Sequence, residues 1–303
     1  MARAYANTKT SERQGWRITP NTSWAIACFA LLLTGYFYGI HQGKETGPVP
    51  HLRVGSAPAQ ADNALPLGPS AGVSSAPGNL LARAQIENQL LYTDLQSFTC
   101  SEQIQRFRGH LDGEKAQHVD TVTARVSFEN GVENYTDILQ NSRRRPALSS
   151  IPGAWSEGEF GTLLRQTRAL LGTQPISLQK STDLNGTPAA IYTFEVSGKD
   201  SPWDLSLGST QYRVPFRTNV WVSRDSSVIL KIERASTAMP AESGISQIEW
   251  SVMLKPVEMD GKSWLLPSTG EYSVVYSASN RREWNTIEFS GYQRYASRSV
   301  IHF

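Results

Sequence analysis

The chain has 303 residues, which allows one large domain or two small ones, and it carries 29 Lys and Arg against 27 Asp and Glu. This near-neutral balance argues against a dedicated nucleic-acid binder, which would show a clear basic excess. Two cysteines cannot build a disulfide scaffold or a four-thiolate zinc site, and a hydrophobic content of 39% is typical of a globular protein with a real core.

The first predicted element is an uncharged apolar segment at residues 23–40. Its 18 residues would span about 27 Å as a helix, which suits a short membrane span and is long for the apolar core of a signal peptide. Trp24 at one end, and Tyr36 and Tyr38 at the other, fit interfacial aromatic belts. Residues 1–22 hold four basic groups and one acidic group, which predicts a short cytoplasmic tail.

A cleaved signal peptide is the alternative interpretation of this segment. A small-x-small cleavage site should follow the apolar core closely, but Ala59-Gln60-Ala61 has that form only about twenty residues later. The sequence therefore favours an uncleaved signal-anchor. We expect a single-pass protein of the inner membrane, with its N-terminus in the cytoplasm and its main domain in the periplasm.

Residues 41–79 are predicted to be a disordered linker. They contain 6 Pro, 6 Gly, 6 Ala and 4 Ser among 39 residues, and they have no aromatic side chain. Such a segment buries too little apolar surface to offset its ordering entropy. The segment is predicted to be either a tether that holds a domain away from the membrane or a spacer without a function of its own.

Residues 80–303 are predicted to form the extracytoplasmic domain, which begins with an amphipathic helix between Leu80 and Leu95. Many strands with period-two alternation follow it. Tight hairpins are expected at Asn130-Gly131, Asn185-Gly186 and Asp260-Gly261, because both turn positions need a positive φ. Trp221 should point away from its neighbours Val220 and Val222, whereas Trp250 should share a face with Val252.

A second helix is expected to interrupt the strands after residue 156. Ser156 and Glu159 have the spacing of a capping box, apolar residues follow at helical spacing, and Gly172 is placed as a C-cap. The element order predicts an α+β fold: a curved, mostly antiparallel sheet, forming an open half-barrel covered by two amphipathic helices. One transmembrane helix and the disordered linker precede it.

This order resembles that of the periplasmic lipoprotein-localisation carriers and of uncharacterised bacterial envelope proteins related to that fold. The resemblance lies in Phe98-Thr99-Cys100, Gly158-Glu159-Phe160, Leu265-Leu266-Pro267 and the ending 287–295. It implies a concave apolar cavity that holds acyl chains or a similar hydrophobic ligand. The expected anchor differs from what these carriers have, because a domain tethered to the membrane would not shuttle freely.

Two sets of candidate binding residues follow. The first set would line the apolar cavity, although plain core packing is the alternative for it, and consists of Val220, Val222, Leu230, Ile232, Trp250, Val252 and Trp264. The second set is the basic run Arg143, Arg144 and Arg145, which could contact an anionic head group or could simply be exposed at a loop.

No motif names a reaction, a cofactor or a metal site. Cys100 is interpreted as a buried small hydrophobe and not as a nucleophile. His110, Asp112, Glu114, His118 and Asp120 could ligate zinc, but their irregular spacing favours a solvated loop. We therefore expect a non-catalytic protein without cofactors and without a nucleic-acid partner.

The sequence supports two functions. The first is a membrane-tethered periplasmic domain that binds a lipid, a lipoprotein or another hydrophobic ligand. The alternative is a protein–protein interaction or sensory module of an envelope complex, which would bind an envelope protein.

Overall fold

The computed structural model of the chain describes residues 80–87, 97–111, 116–129 and 131–294, together with the backbone of residues 50–54. All of these belong to one compact unit, Pro48–Phe303. The predicted tail 1–22 and membrane span 23–40 lie outside the described residues. Within the ranges just given, no helix is both long enough and apolar enough to cross a bilayer.

The described residues form two α-helices and a large number of β-strands. Helix α1 covers residues 80–87, and α2 covers Thr162–Thr173. The strands are β1 (Pro50–Val54), β2 (Ser97–His110), β3 (Gln117–Glu129), β4 (Val132–Gln140), β5 (Arg143–Arg144), β6 (Trp155–Glu157), β7 (Ser177–Leu184), β8 (Thr187–Val196), β9 (Trp203–Leu207), β10 (Thr210–Arg213), β11 (Phe216–Ser223), β12 (Ile229–Ser236), β13 (Ile245–Met259), β14 (Lys262–Tyr276) and β15 (Arg281–Arg294). Short 3-10 turns occur at Leu148–Ser150 and Ala241–Ser243.

The strands form two sheets. The larger is a curved, open antiparallel sheet of 11 strands in the order β5-β4-β3-β2-β15-β14-β13-β12-β11-β8-β7. The smaller has four strands in the order β10-β9-β1-β6, and its β1–β6 pair is the parallel one. The predicted mostly antiparallel sheet with two helices is thus confirmed for the described part of the chain.

Local turn chemistry explains the hairpins of the large sheet. Asn185 and Gly186 have φ values of 53° and 84°, and Asp260 and Gly261 have φ values of 51° and 71°. Positive φ at both central positions gives the turn twist that matches paired strands. The hairpins predicted at these two dipeptides are therefore confirmed. Glu129 of β3 also pairs with Val132 of β4, while Asn130 of the third predicted turn lies outside the described residues.

One face of the large sheet is buried and carries both hydrophobic clusters. The large cluster joins β8 and β11–β14 to β9, to Ala84 of α1 and to Leu163, Leu164 and Leu171 of α2. The small cluster joins β2–β4 to Trp155 and Phe160 and to the ends of β13–β15. Alternation along β11 places Val220 and Val222 in the large cluster and Trp221 on the opposite face, as predicted.

Helix α2 begins later than the capping-box spacing indicates. Ser156 lies in β6, and the helix starts at Thr162, where Glu133 of β4 accepts hydrogen bonds from the amides of Gly161 (2.6 Å) and Thr162 (2.7 Å). A carboxylate from another strand thus replaces the local cap. Gly172 lies inside the helix, which ends at Thr173.

The predicted linker 41–79 contains one strand that composition alone does not indicate. Its residues Pro50–Val54 form β1, which pairs with β6 on one side and with β9 on the other. Backbone pairing on both sides stabilises a strand regardless of its side chains. The other residues of this linker lie outside the described ranges, and the boundary at residue 80 stays a prediction.

Candidate functional site

A row of buried polar side chains crosses the helix-covered face of the large sheet. Its members are opposite each other in the strand registers, so they project from the same face. From β11 to β3 this polar row consists of Thr218, Arg234, Trp250, Tyr272, Asn285, Arg106 and Asp120. Each of them is at most 4% exposed.

Arg234 is the most unusual member of the row. Its guanidinium donates from Nη1 to Gln166 Oε1 (3.2 Å) and from Nη2 to Thr167 Oγ1 (3.1 Å), and both acceptors belong to α2. It also lies 4.6 Å from the centroid of the Phe216 ring. Burial lowers the pKa of Arg234 to about 9, so the side chain is still a cation at neutral pH.

Several polar atoms around Arg234 are buried without a hydrogen-bond partner. They are Arg234 Nε, Thr218 Oγ1 and Tyr272 Oη in the row and Trp203 Nε1 in the large cluster. Folded proteins pair nearly all such groups, because each unpaired one costs about 1–3 kcal/mol. The row therefore has unused hydrogen-bonding capacity at its β11–β14 end.

A group of glutamates adjoins the row where the chain enters α2. Trp250 donates from Nε1 to Glu159 Oε1 (3.1 Å), and Glu159 is 1% exposed. Burial and the nearby carboxylate of Glu133 raise the pKa of Glu159 to about 7. Burial and the charges of Glu159 and Glu133 raise the pKa of Glu102 well above its ordinary value. This entry to α2 is thus a low-dielectric region where carboxylates are poorly tolerated as anions.

The other end of the row has paired charges and hydrogen-bonded amides. Arg106 forms a bidentate ion pair with Asp120, through Nε at 2.6 Å and through Nη2, and its Nη1 donates to the carbonyl of Pro152 at 2.6 Å. Asn285 donates to the carbonyl of Ala154 at 3.1 Å. These bonds fix the segment that leads into β6 onto the sheet.

The predicted cavity residues separate into groups in the structure. Val220, Val222, Ile232, Trp250 and Val252 are buried together in the large cluster, on the same face as the polar row. Leu230 lies at the bulge between β11 and β12, where Val222 pairs with Ile229, and it is partly exposed. Trp264 belongs to the small cluster and donates to the carbonyl of Met259 at 3.3 Å.

The basic run lies far along the sheet at its β5 edge. Arg143 and Arg144 form β5 and are exposed, and Arg144 pairs with Asp137 at 3.5 Å. Arg145 donates from Nε to Gln140 Oε1 at 2.8 Å. The run was expected in a loop and instead pairs as an edge strand with β4, because the positive φ values of Asn141 and Ser142 turn the chain back.

The residues considered for chemistry are distributed as follows. Cys100 is a buried free thiol, and burial raises its pKa far above the ordinary value. His110 and His118 are exposed, whereas Asp120 belongs to the ion pair with Arg106. Across the described ranges, no group of three or more potential metal ligands is arranged to hold an ion. Asp112 and Glu114 lie outside those ranges.

The opposite face of the large sheet carries two grooves, of about 410 and 850 Å³. Both are lined by Arg217, Asn219 and Glu233, so they adjoin each other. Trp221, with the ammonium of Lys231 5.1 Å from its ring centroid, lines the larger one. Of the seven predicted cavity residues, Trp250 alone lines either groove, and it borders the smaller one together with its row neighbours Arg234 and Tyr272.

Sequence reasoning found Trp250 but missed Thr218, Arg234 and Tyr272. The signal is a polar residue on the strand face whose other residues are apolar. Thr218 lies two positions from both Phe216 and Val220, and Arg234 follows Ile232 by two positions. Such a residue should be buried on the core face. Its alignment with the residues of six other strands depends on the strand registers, which are not local features of the sequence.

The fold and the polar row define a class: an antiparallel open sheet with a helix-covered apolar face that contains buried polar groups. Comparison with protein-family models finds no match for this chain, and comparison with curated proteins finds none either.

Solved structures with some similarity to this chain include three bacterial proteins. A DUF1329 family protein from Desulfovibrio piger is 11% identical, with a TM-score of 0.40, over 74% of this chain and 95% of that one. An outer membrane lipoprotein-sorting protein domain from Vibrio parahaemolyticus is 6% identical, with a TM-score of 0.33, over 72% and 95%. Lipoprotein LppX of Mycobacterium tuberculosis is 11% identical, with a TM-score of 0.25, over 72% and 96%. All three similarities concern the fold alone.

Proposed function

We propose that the chain is a membrane-tethered extracytoplasmic protein that binds a lipid, a lipoprotein or another hydrophobic ligand between its sheet and its helices, without catalysing a reaction. One observation carries the proposal: the apolar layer beneath α2 contains buried polar atoms that its closed packing leaves unpartnered. Packing that leaves several such atoms without a hydrogen bond could be stabilised by a ligand that supplies the missing partners.

The layer has the composition that a hydrophobic ligand needs. Val220, Val222, Ile232 and Val252 present a continuous aliphatic surface next to the row, and Trp250 adds an aromatic wall. Helix α2 covers this surface with Leu163, Leu164 and Leu171. We expect a ligand to occupy the space that these helix side chains fill in the closed form, so α2 would have to move.

Photo-crosslinking of the full chain in membrane vesicles tests this function. The probe is a 12-carbon alcohol that carries a diazirine on its chain. Peptides of α2 and β11–β13 should be labelled. Matched variants at adjacent positions of β11 give the control: Val220→Phe fills the layer, whereas Asn219→Phe adds the same ring to the opposite face. Labelling should fall in the first variant and persist in the second. Absent labelling, or labelling confined to the grooves, would refute the proposal.

The tether is part of the same proposal. The uncharged segment 23–40 and the basic residues before it support an inner-membrane anchor with the N-terminus in the cytoplasm. Protease added to spheroplasts should cut the full chain within 41–79 and release a large fragment. A chain that is protected until the membrane is lysed would overturn this orientation.

The second candidate function is the interaction or sensory module. The two adjoining grooves favour it, because they combine charged side chains with Trp221 and Trp284 on a face that the helices leave uncovered. Aromatic and arginine side chains are common anchors in protein interfaces. Crosslinking pull-downs of the chain with and without residues 1–40 test it, and failure to capture an envelope protein in either case would reject it.

A further inference from the structure

Arg234 is a buried cation whose partners are neutral. It is 1% exposed, and within the described ranges no carboxylate forms an ion pair with it. Helix α2 supplies only the amide oxygen of Gln166 and the hydroxyl oxygen of Thr167. A buried guanidinium is normally paired with an anion, because dipoles repay little of its desolvation.

Two free donors lie together at this point. Arg234 Nε and Thr218 Oγ1 both have no partner, and the two residues are directly opposite each other on β12 and β11. Opposed residues of an antiparallel pair are about 4.5–5.5 Å apart at their Cα atoms. Side chains that project from the same face at this Cα spacing can bring a guanidinium N–H and a hydroxyl to one small oxyanion.

We propose that the hydrophobic ligand is an anionic amphiphile whose carboxylate or phosphate head is bound by Arg234 and Thr218. This inference rests on the proposed lipid-binding function and narrows it. The head accepts hydrogen bonds from the free Nε of Arg234 and the hydroxyl of Thr218, and α2 moves to admit it. Neutral lipids leave Arg234 without an anion and therefore bind less well. The same holds for acylated proteins that carry no anionic group at the ends of their acyl chains.

The position of the alkyl chain follows from the same register. Val220 and Ile232 are the opposed pair next to Thr218 and Arg234, on the same face, and Val222 with Ile229 is the pair after that. An alkyl chain attached to the bound head therefore meets aliphatic side chains along these two strands. Polar head and apolar chain thus have adjacent sites in the large cluster.

A pair of photoreactive probes tests the inference on the full chain in membrane vesicles. One is the diazirine-bearing 12-carbon carboxylic acid, and the other is the alcohol of the same chain length. Half-maximal labelling of the wild-type chain should need about 10- to 100-fold less of the acid than of the alcohol. A hydrogen bond to a charged group strengthens binding by about that factor. Arg234→Met should remove this preference and leave labelling by the alcohol within about twofold.

Control variants distinguish loss of the anion site from loss of folding. Arg217→Met removes an exposed arginine from the opposite face of β11 and should keep the preference for the acid. Thr218→Val keeps the cation and should reduce the preference without abolishing it. Thermal unfolding shows whether each variant is folded. If Arg234→Met is misfolded, the preference for the acid is measured in Thr218→Val instead.

Competition identifies the head group. Displacement of the acid probe by unlabelled dodecanoate indicates a carboxylate ligand, and displacement by dodecyl phosphate indicates a phosphate ligand; either supports the inference. Equal labelling by acid and alcohol in the wild type overturns the anionic head group but leaves the lipid-binding function intact. Absence of labelling by both probes refutes the lipid-binding function itself.

Discussion

Two buried arginines lie in the same row and on the same face, but their surroundings differ. Arg106 has a bidentate carboxylate partner in Asp120, a carbonyl acceptor at Pro152 and a Trp155 ring centroid 4.3 Å away. Arg234 has two neutral acceptors on α2 and an unpartnered Nε. Both are at most 4% exposed, so burial alone does not distinguish them.

The difference supports the proposal that the Arg106 end of the row is structural and that the Arg234 end is available for a ligand. Burial alone would raise the pKa of Asp120, but hydrogen bonds from Arg106 and Gln140 outweigh it and lower the pKa below its ordinary value. The charges at that end are therefore satisfied within the chain. The charge of Arg234 has no carboxylate partner among the described residues, which supports the proposal that an external anion pairs with it.

The largest expected effect comes from breaking the satisfied pair. Asp120→Asn leaves the Arg106 guanidinium buried without an anion, which should lower the free energy of unfolding by about 3–5 kcal/mol. Arg234→Met is the matched change, because an unpaired buried cation is replaced by an apolar side chain of similar length. It should leave stability unchanged or raise it by about 1–4 kcal/mol.

Urea unfolding of both variants at neutral pH measures this contrast. Similar losses of stability in the two variants would mean that α2 satisfies Arg234 as fully as Asp120 satisfies Arg106. The distinction between the two ends of the row would then be lost.

The two arginines also show what sequence reasoning reaches. The sheet, its hairpins and the buried strand faces follow from alternation and from Asn-Gly and Asp-Gly turns, which are local signals. The pairing of Arg106 with Asp120, 14 residues apart, needs the β2–β3 register, and the row needs five further registers. The start of α2 was misplaced for the same reason, because its amides are held by Glu133, 28 and 29 residues away.

Glu159 provides the next largest effect, which depends on pH. Its pKa is raised from 4.5 to about 7, so the folded chain holds its proton more tightly than the unfolded chain. The stability contributed by this group is fully present below pH 4.5 and is lost as the pH rises through about 7. Glu159→Gln keeps an acceptor for Trp250, and it should raise stability by up to about 3 kcal/mol at pH 8 and not at pH 4.

Thermal and urea unfolding between pH 4 and pH 8 compare this variant with Glu258→Gln, an exposed glutamate of β13. Glu102 and Glu133 stay in both, so the difference between the variants reports Glu159 together with its coupling to these two carboxylates. An equal gain at both ends of the pH range would contradict a buried carboxylate that titrates in this window.

A smaller effect is expected at the helix that covers Arg234. Glu133→Ala removes the acceptor for the Gly161 and Thr162 amides and should lower stability by about 1–2 kcal/mol, the usual range for a lost N-cap. Hydrogen exchange of the α2 amides should quicken more than exchange in β2 or β3. Because α2 supplies the acceptors of Arg234, labelling of β11 and β12 by the acid probe should also rise. Unchanged exchange in α2 would show that another contact fixes its start.

The smallest effect should come from an arginine on the uncovered face. Arg217 pairs with Glu195 at 2.7 Å, but both side chains are more than half exposed, at 57% and 58%. An exposed pair is screened by water and salt, so Arg217→Met should change stability by no more than about 0.5 kcal/mol.

The Arg217→Met variant also discriminates between the two functions, because Arg217 lines both grooves and lies opposite the polar row. If the chain acts through its buried row, lipid labelling should match the wild type and no protein partner should be lost; loss of a captured envelope protein would instead locate the function on the grooves.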